Sequence, residues 1–278
     1  MSAPEKIAEI QYGMLAEDYH QVRALSKSTA EAVMRSPAHA KYDRENPRDP
    51  TPAMLMGTLV HARVLEPLTV ADRFVVEIEG INKRTKDGKA EYAQWEASVA
   101  GKTIVPRDTW DRSILTAQAI ASHPAVRLLM SAGQAEVSLF WEHPLYGIPC
   151  KCRPDFLRDD LTIIDLKTTA DASPEAFART CARLNYHAGH AHYSDGVTAT
   201  LGKPRSFILI AAEPEPPYGV AVYELDAEAI EAGARIMDRA ALAWRAADEA
   251  NWRPAYPNTI QPLALPRWAT YQPENTDD

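Results

Sequence analysis

Asp155, Asp165 and Lys167 are the residues of this chain whose types and spacing most directly suggest chemistry. They lie in RPDFLRDDLTIIDLKTT, from Arg153 to Thr169, a run that reads as two adjacent β-segments joined by a tight charged turn. Side chains alternate faces along a strand. In Ile163-Ile164-Asp165-Leu166-Lys167 the acid and the lysine therefore share one face, while Ile164 and Leu166 point into a core. The same rule applied to Cys150-Lys151-Cys152-Arg153-Pro154-Asp155 aligns Lys151, Arg153 and Asp155, with both cysteines opposite. Two carboxylates meeting a lysine at the end of paired strands can hold Mg²⁺ and stabilise a pentacoordinate phosphate. That is the chemistry of a nuclease. An Asp-x-Lys also arises by chance on exposed strands, where both charges are simply solvated. Against that stand the upstream Pro154-Asp155 and the apolar Leu161-Thr162-Ile163-Ile164 run, which suits a central strand covered on both faces.

Several further elements must position these residues. Strands are expected over about 135–142, 148–157, 161–168, 206–212 and 219–225, with a short one within 72–79. Ser26 or Ser28 can cap a helix running to about Met34, and Ser36-Pro37 restarts a second short one. A helix from about Ala53 to Glu66, ended by Pro67, carries His61 four residues after Gly57. A basic segment with Lys83, Arg84, Lys86 and Lys89 leads into another helix, and further helices are expected over 107–121, 124–131 and 227–250. Ser173-Pro174-Glu175 starts a helix predicted to reach about Ala199. On it Arg179, Arg183, Tyr186, His190, Tyr193 and Val197 fall within roughly 40° of one line. Such a stripe is either a solvated outer face or a surface for phosphates and bases. Glu136 opens the strand before Pro154-Asp155 and is a candidate neighbour of the acids.

Composition narrows the class. The chain has 278 residues, 46% hydrophobic and 24% charged, as expected of a globular α/β domain. It shows no internal repeat and no linker long enough to divide it. One domain over 1–278 is the simplest organisation: a helical part at about 18–131, a core at about 132–250 and a Pro-rich, irregular tail at 251–278 with a disordered acidic end. No apolar run approaches the roughly 20 residues that cross a bilayer, and MSAPEKIAEIQYG has no apolar signal region. Three cysteines, Cys150, Cys152 and Cys181, suit a reducing, cytoplasmic compartment and are too few for a Cys₄ cluster. The net charge of −8 counts against a nucleic-acid partner only modestly, because net charge governs long-range steering and not a local groove.

Taken together, the sequence resembles the PD-(D/E)XK nuclease superfamily, and within it the RecE-type phage and prophage exonucleases (exodeoxyribonuclease VIII). The resemblance runs through YHQVRALSKSTAEAVMRSPAHAKY, MGTLVHARVLEP, NKRTKDGKAEY, AEVSLFWEHPLYGIPCKCRPDFL, TIIDLKTT, NYHAGHAHYSDG and PLALPRWA. Gly57-x-x-x-His61, Pro154-Asp155 and Asp165-x-Lys167, in that order, are its most specific parts. It implies a restriction-endonuclease-like core, a central mixed sheet flanked by helices, with helical N-terminal additions. It implies Mg²⁺, with Mn²⁺ able to substitute, held by His61, Asp155, Asp165 and the Leu166 carbonyl, with Lys167 at the water nucleophile or the scissile phosphate. The residues themselves, apart from the resemblance, make Glu136 a candidate beside the metals and Arg84, Lys86, Arg179, Arg183, His190 and Tyr193 candidate DNA contacts.

The activity implied is resection of linear duplex DNA from the 5′ end, leaving a 3′ strand for a single-strand annealing protein. A homo-oligomeric ring and a bacterial or phage-infected host follow from the same likeness. One departure is Gly189, where relatives often carry the glutamine of a Q-x-x-x-Y pattern ending at Tyr193. The residues alone also admit a repair nuclease acting on single strands, a DNA-binding recombination protein without catalysis, or a metal-dependent hydrolase of another substrate.

Overall fold

The buried run Ile163–Leu166 settles at the centre of a sheet, as two-sided burial requires. A computed structural model describes residues 8–47, 49–253, 255–266 and 269. The chain opens with β1 (Ala8–Gln11), α1 (Ala16–Gln21), α2 (Lys27–Arg35), α3 (Pro37–Glu45) and α4 (Pro52–Leu65). Then come α5 (Val70–Arg73), β2 (Phe74–Val76), α6 (Lys86–Ser98), β3 (Thr103–Val105), α7 (Arg107–Ser122) and α8 (Pro124–Leu129). The remainder is β4 (Gly133–Ala135), β5 (Ser138–Glu142), β6 (Pro149–Cys152), β7 (Phe156–Arg158), β8 (Ile163–Thr168), α9 (Pro174–Arg183), α10 (Tyr186–Thr200), β9 (Phe207–Ala212), β10 (Val220–Glu224) and α11 (Ala227–Glu249).

The central sheet has the order β10-β9-β8-β7-β4 and is mixed, since β8 and β9 are parallel and the other pairs antiparallel. Helices flank it. Ile163 packs with Phe207 and Leu209 into a large core that includes Phe177, Met237 and Trp244. Ile164 and Leu166 pack on the other face, against Met56 and Val60 of α4. The expected α/β architecture is thus present. Among the described residues no helix is long and apolar enough to cross a membrane. All three cysteines are free and buried.

Three expectations need correction. The strand predicted over 148–157 is two strands in different sheets, β6 in the antiparallel set β1-β5-β6 and β7 in the central sheet. Pro154 has no N–H for a ladder, and the chain changes sheet there. Lys151, Arg153 and Asp155 consequently do not share one face of a strand. Lys151 is buried and donates to the carbonyls of Tyr19, His20 and Val22. The strand predicted over 135–142 is likewise split into β4 and β5, so Glu136 does not open a strand but turns the chain between sheets at φ 55.

The helix predicted over 174–199 is also two, because Asn185 adopts the left-handed conformation at φ 51. Asn tolerates that conformation better than most residues. The break takes Arg179 and Arg183 off the line of Tyr186, His190 and Tyr193. The acidic end of the tail lies outside the described residues.

Helix α10 lies over β5 and β6, and its His192 is buried against Trp141 with Nε2 donating to the Lys151 carbonyl at 2.9 Å. Burial, partly offset by hydrogen bonding, lowers its pKa to about 4. Below about pH 6.5 the unfolded chain gains a proton at this position that the folded chain refuses. Stability from this group is therefore complete above pH 6.5 and is lost as pH falls toward 4. His192→Gln should cut the acid loss between pH 7 and 4.5 by about 2–3 kcal/mol. Denaturant midpoints at the two pH values measure it, and parallel profiles for wild type and variant would contradict it.

Candidate active site

Strand β8 presents Asp165 and Lys167 on one face, as period-two alternation demands. The register Phe156↔Ile164, continued one residue, places Asp155 across from Asp165. Asp155 Oδ2 accepts from the Leu166 N–H at 2.6 Å, which fixes the carboxylate against the strand backbone. Lys167 Nζ lies 2.6 Å from Asp165 Oδ2, 3.9 Å from Asp155 Oδ2 and 3.2 Å from the Leu166 carbonyl. The ammonium thus bridges the two acids.

His61 arrives from α4, on the other side of these strands. Gly57 eases the approach, because a Cβ there would sit a tight 3.2 Å from Thr168 Oγ1. The Gly57 carbonyl accepts from His61 Nδ1 at 2.8 Å, leaving Nε2 facing the Leu166 carbonyl at 2.7 Å and Asp155 Oδ2 at 3.2 Å. Two oxygen acceptors converge on one nitrogen. Only a positive charge at that point, a proton or a metal ion, reconciles the three. No three His, Cys, Asp or Glu side chains among the described residues gather closely enough to hold an ion by themselves. Here the third donor is a main-chain carbonyl, and the hard oxygen-rich set suits a divalent ion such as Mg²⁺ or Mn²⁺.

The titration of the cluster reflects its crowding. Burial acts to lower the His61 pKa, but Asp155 and the Gly57 carbonyl outweigh it and the net shift is upward. Burial acts to raise Asp155, and Lys167, His61 and the Leu166 N–H reverse this, holding its carboxyl below the usual range. Asp165 is raised by burial, with Asp155 adding to the effect and Lys167 opposing it. Lys167 is raised, since the two acids outweigh its burial.

Glu136 sits at the margin. Its N–H donates to the Asp155 carbonyl at 3.1 Å, and its carboxylate pairs with Arg153 Nε at 2.7 Å. Burial first, then Asp155, pushes its pKa up to about 7. A strained φ beside the acids, pinned to Asp155 by the backbone, couples its position to theirs.

Of the other sequence candidates, Arg84, Lys86, Arg179 and Arg183 are exposed, the first two on the β2-α6-β3 segment and the last two on α9. His190 and Tyr193 are partly buried, their ring centroids 5.0 and 6.1 Å from that of Phe207. Sequence reasoning missed Lys27 of α2 and the close approach of Tyr186, whose ring centroid lies 5.6 Å from Lys27 Nζ and 5.4 Å from Lys167 Nζ. It also missed the Arg153–Glu136 pair. Arg153 adjoins Pro154-Asp155 and could have been suspected, but nothing in the sequence connects Lys27 to residues so far along the chain.

Comparisons with known proteins bear on the family and the fold. Residues 22–261 match a family described as "PDDEXK-like domain of unknown function (DUF3799)". The crystal structure of a "Putative exonuclease" from Eubacterium rectale superposes with a TM-score of 0.61 at 12% identity, covering 94% of this chain and 98% of that one. At such identity the likeness is one of fold. No curated protein matches the sequence.

Proposed function

The chain belongs to this PDDEXK-like family, and from that premise we propose that it is a divalent-metal-dependent DNA exonuclease. The observation that carries the proposal is the convergence of His61 Nε2, Asp155 Oδ2 and the Leu166 carbonyl beside the Asp165–Lys167 pair. A divalent ion held by His61, Asp155, the Leu166 carbonyl and Asp165 would neutralise charge on the scissile phosphate. Lys167, kept an ammonium while the two acids bracket it, offers N–H donors to a non-bridging phosphate oxygen or to the attacking water. The Gly57 carbonyl fixes the His61 ring, and the Leu166 N–H fixes Asp155, so neither donor must reorganise when substrate arrives. Glu136, close to Asp155 and oriented by Arg153, is placed to adjust the charge of the same cluster.

The resemblance to RecE-type exonucleases supports the finer reading: linear duplex DNA resected 5′ to 3′, a 3′ strand handed to an annealing protein, and a ring of like subunits. The chain then works as one nuclease unit, its N-terminal helices supplying His61. Arg84, Lys86, Arg179, Arg183, His190 and Tyr193 are proposed DNA contacts, with the exposed arginines and lysine meeting phosphates. Replacing the four exposed cations together should weaken DNA binding and flatten its salt dependence by up to about four units of log–log slope. An unchanged slope would remove them from the interface.

His61→Ala should weaken Mn²⁺ binding by about ten- to a hundredfold, measured by calorimetry on the folded chain. Equal affinity would remove His61 from the metal set. The polarity is tested with linear duplex labelled separately at each 5′ and 3′ end in Mg²⁺. Early release of the 5′ label as mononucleotide is expected. Early loss of the 3′ label would reverse the polarity, and preference for single strands would move the enzyme toward repair.

A further inference from the structure

The geometry points to Lys27 as a second phosphate-binding residue of this site, an ammonium that α2 brings to the substrate backbone beside the Asp155–Asp165–Lys167 cluster. The inference rests on the nuclease reading and deepens it.

For the free protein, a cation at this position is poorly placed on three counts. Lys27 is the first residue of α2, directly after the Ser26 cap. There it meets the positive end of the helix dipole, where acids are favoured. Its side chain is largely withdrawn from water, yet among the described residues it forms no ion pair within 4.0 Å. It also shares the Tyr186 ring with a second ammonium, Lys167, at 5.6 and 5.4 Å. One N–H of Nζ is satisfied by the Leu184 carbonyl at 2.7 Å. The described residues offer no further acceptor to the other two N–H groups. Two ammonium groups at one aromatic ring, beside a phosphodiester-cleaving cluster, suit a polyanion that passes over both. Glu31 and Asp165 favour the ammonium without pairing with it, and a phosphate of the substrate strand supplies the missing acceptor at contact distance.

The competing explanation is structural: Lys27 closes the end of α9 by bonding the Leu184 carbonyl. The two roles predict opposite stabilities. Lys27→Met, Lys27→Arg and wild type would be compared as full chains, binding a short linear DNA duplex with Ca²⁺ in place of Mg²⁺ to suppress turnover. A phosphate contact predicts that Lys27→Met binds about ten- to a hundredfold more weakly, with a log–log salt slope smaller by about one. Its melting temperature should be unchanged or higher, and Lys27→Arg should restore most of the affinity. Unchanged DNA affinity in Lys27→Met would overturn the inference. So would a melting temperature that falls with the affinity, or a chain that fails to fold, since removing a misplaced charge must not destabilise. A wild type that binds no DNA would overturn the nuclease reading itself.

Discussion

Asp165→Asn and Lys167→Met should each lower the single-turnover rate of DNA cleavage by at least a hundred- to a thousandfold. Asp165 is 5% exposed and shares its Oδ2 with the Lys167 ammonium at 2.6 Å. Asparagine keeps the shape and one oxygen but removes the charge that would hold both the metal and the lysine. Methionine keeps the length of the Lys167 stem and removes its donors. Asp165→Asn leaves the Lys167 ammonium only Asp155 at 3.9 Å, and Lys167→Met leaves Asp165 without its partner; breaking a buried pair in this way costs up to roughly 3–5 kcal/mol. Lost activity could therefore reflect lost folding. The double variant Asp165→Asn/Lys167→Met removes both charges and should regain most of the stability while remaining inactive. Denaturant midpoints and cleavage rates measured on the same preparations separate the two effects. A double variant that is stable and active would remove this pair from the chemistry.

Gly233→Ala should destabilise the protein by about 2–3 kcal/mol or more, a drop of roughly 5–10 °C in melting temperature at this chain length. Helix propensity alone gives the opposite sign, since alanine is better than glycine in a helix interior by about 1 kcal/mol. The contact decides. Helix α11 crosses α10 at this point, and a Cβ on Gly233 would fall 2.0 Å from the His187 carbonyl oxygen and 3.0 Å from the Ala188 nitrogen. Both are backbone atoms and cannot swing aside as a side-chain tip can. The first turn of α10 also carries Tyr186, beside Lys167, so displacement should reduce cleavage as well as stability. Thermal unfolding reads the first effect, and a stabilised variant would show that the two helices are further apart than described.

The strands that bear Asp165 and Lys167 were legible because β8 obeys two local rules at once. Its alternation fixes one polar face, and Ile163-Ile164 demands cover on both sides. Ser26 was legible as one of two possible caps, with Ser28, and it is Ser26 that forms a capping box with Thr29. The sheet changes at Pro154 and Glu136 were not legible, because both segments keep a strand-like pattern while tertiary pairing decides which sheet each joins. The break at Asn185 is one residue in a left-handed conformation inside an otherwise helical pattern, and periodicity averages over it. At the site, Asp155, Asp165 and Lys167 stand close in sequence and could be grouped from it. His61 entered only through the family pattern, since a lone histidine on a helix says nothing about which strand it meets. The tight spacing between Gly57 of α4 and Thr168 appears only when helix and strand are seen together. Lys27 is the extreme case: a fold-level crossing brings it to the Tyr186 ring, and no local rule anticipates that.

The most direct measurement is release of acid-soluble nucleotides from linear duplex DNA by the purified full chain, with Mg²⁺ and then with the metal chelated. Steady release in Mg²⁺ that stops on chelation and returns when Mg²⁺ is restored is the expected result. A well-folded chain that releases nothing from duplex or single strands with Mg²⁺ or Mn²⁺, or that cleaves equally well in chelator, would contradict the assignment of a metal-dependent nuclease site to His61, Asp155, Asp165 and Lys167.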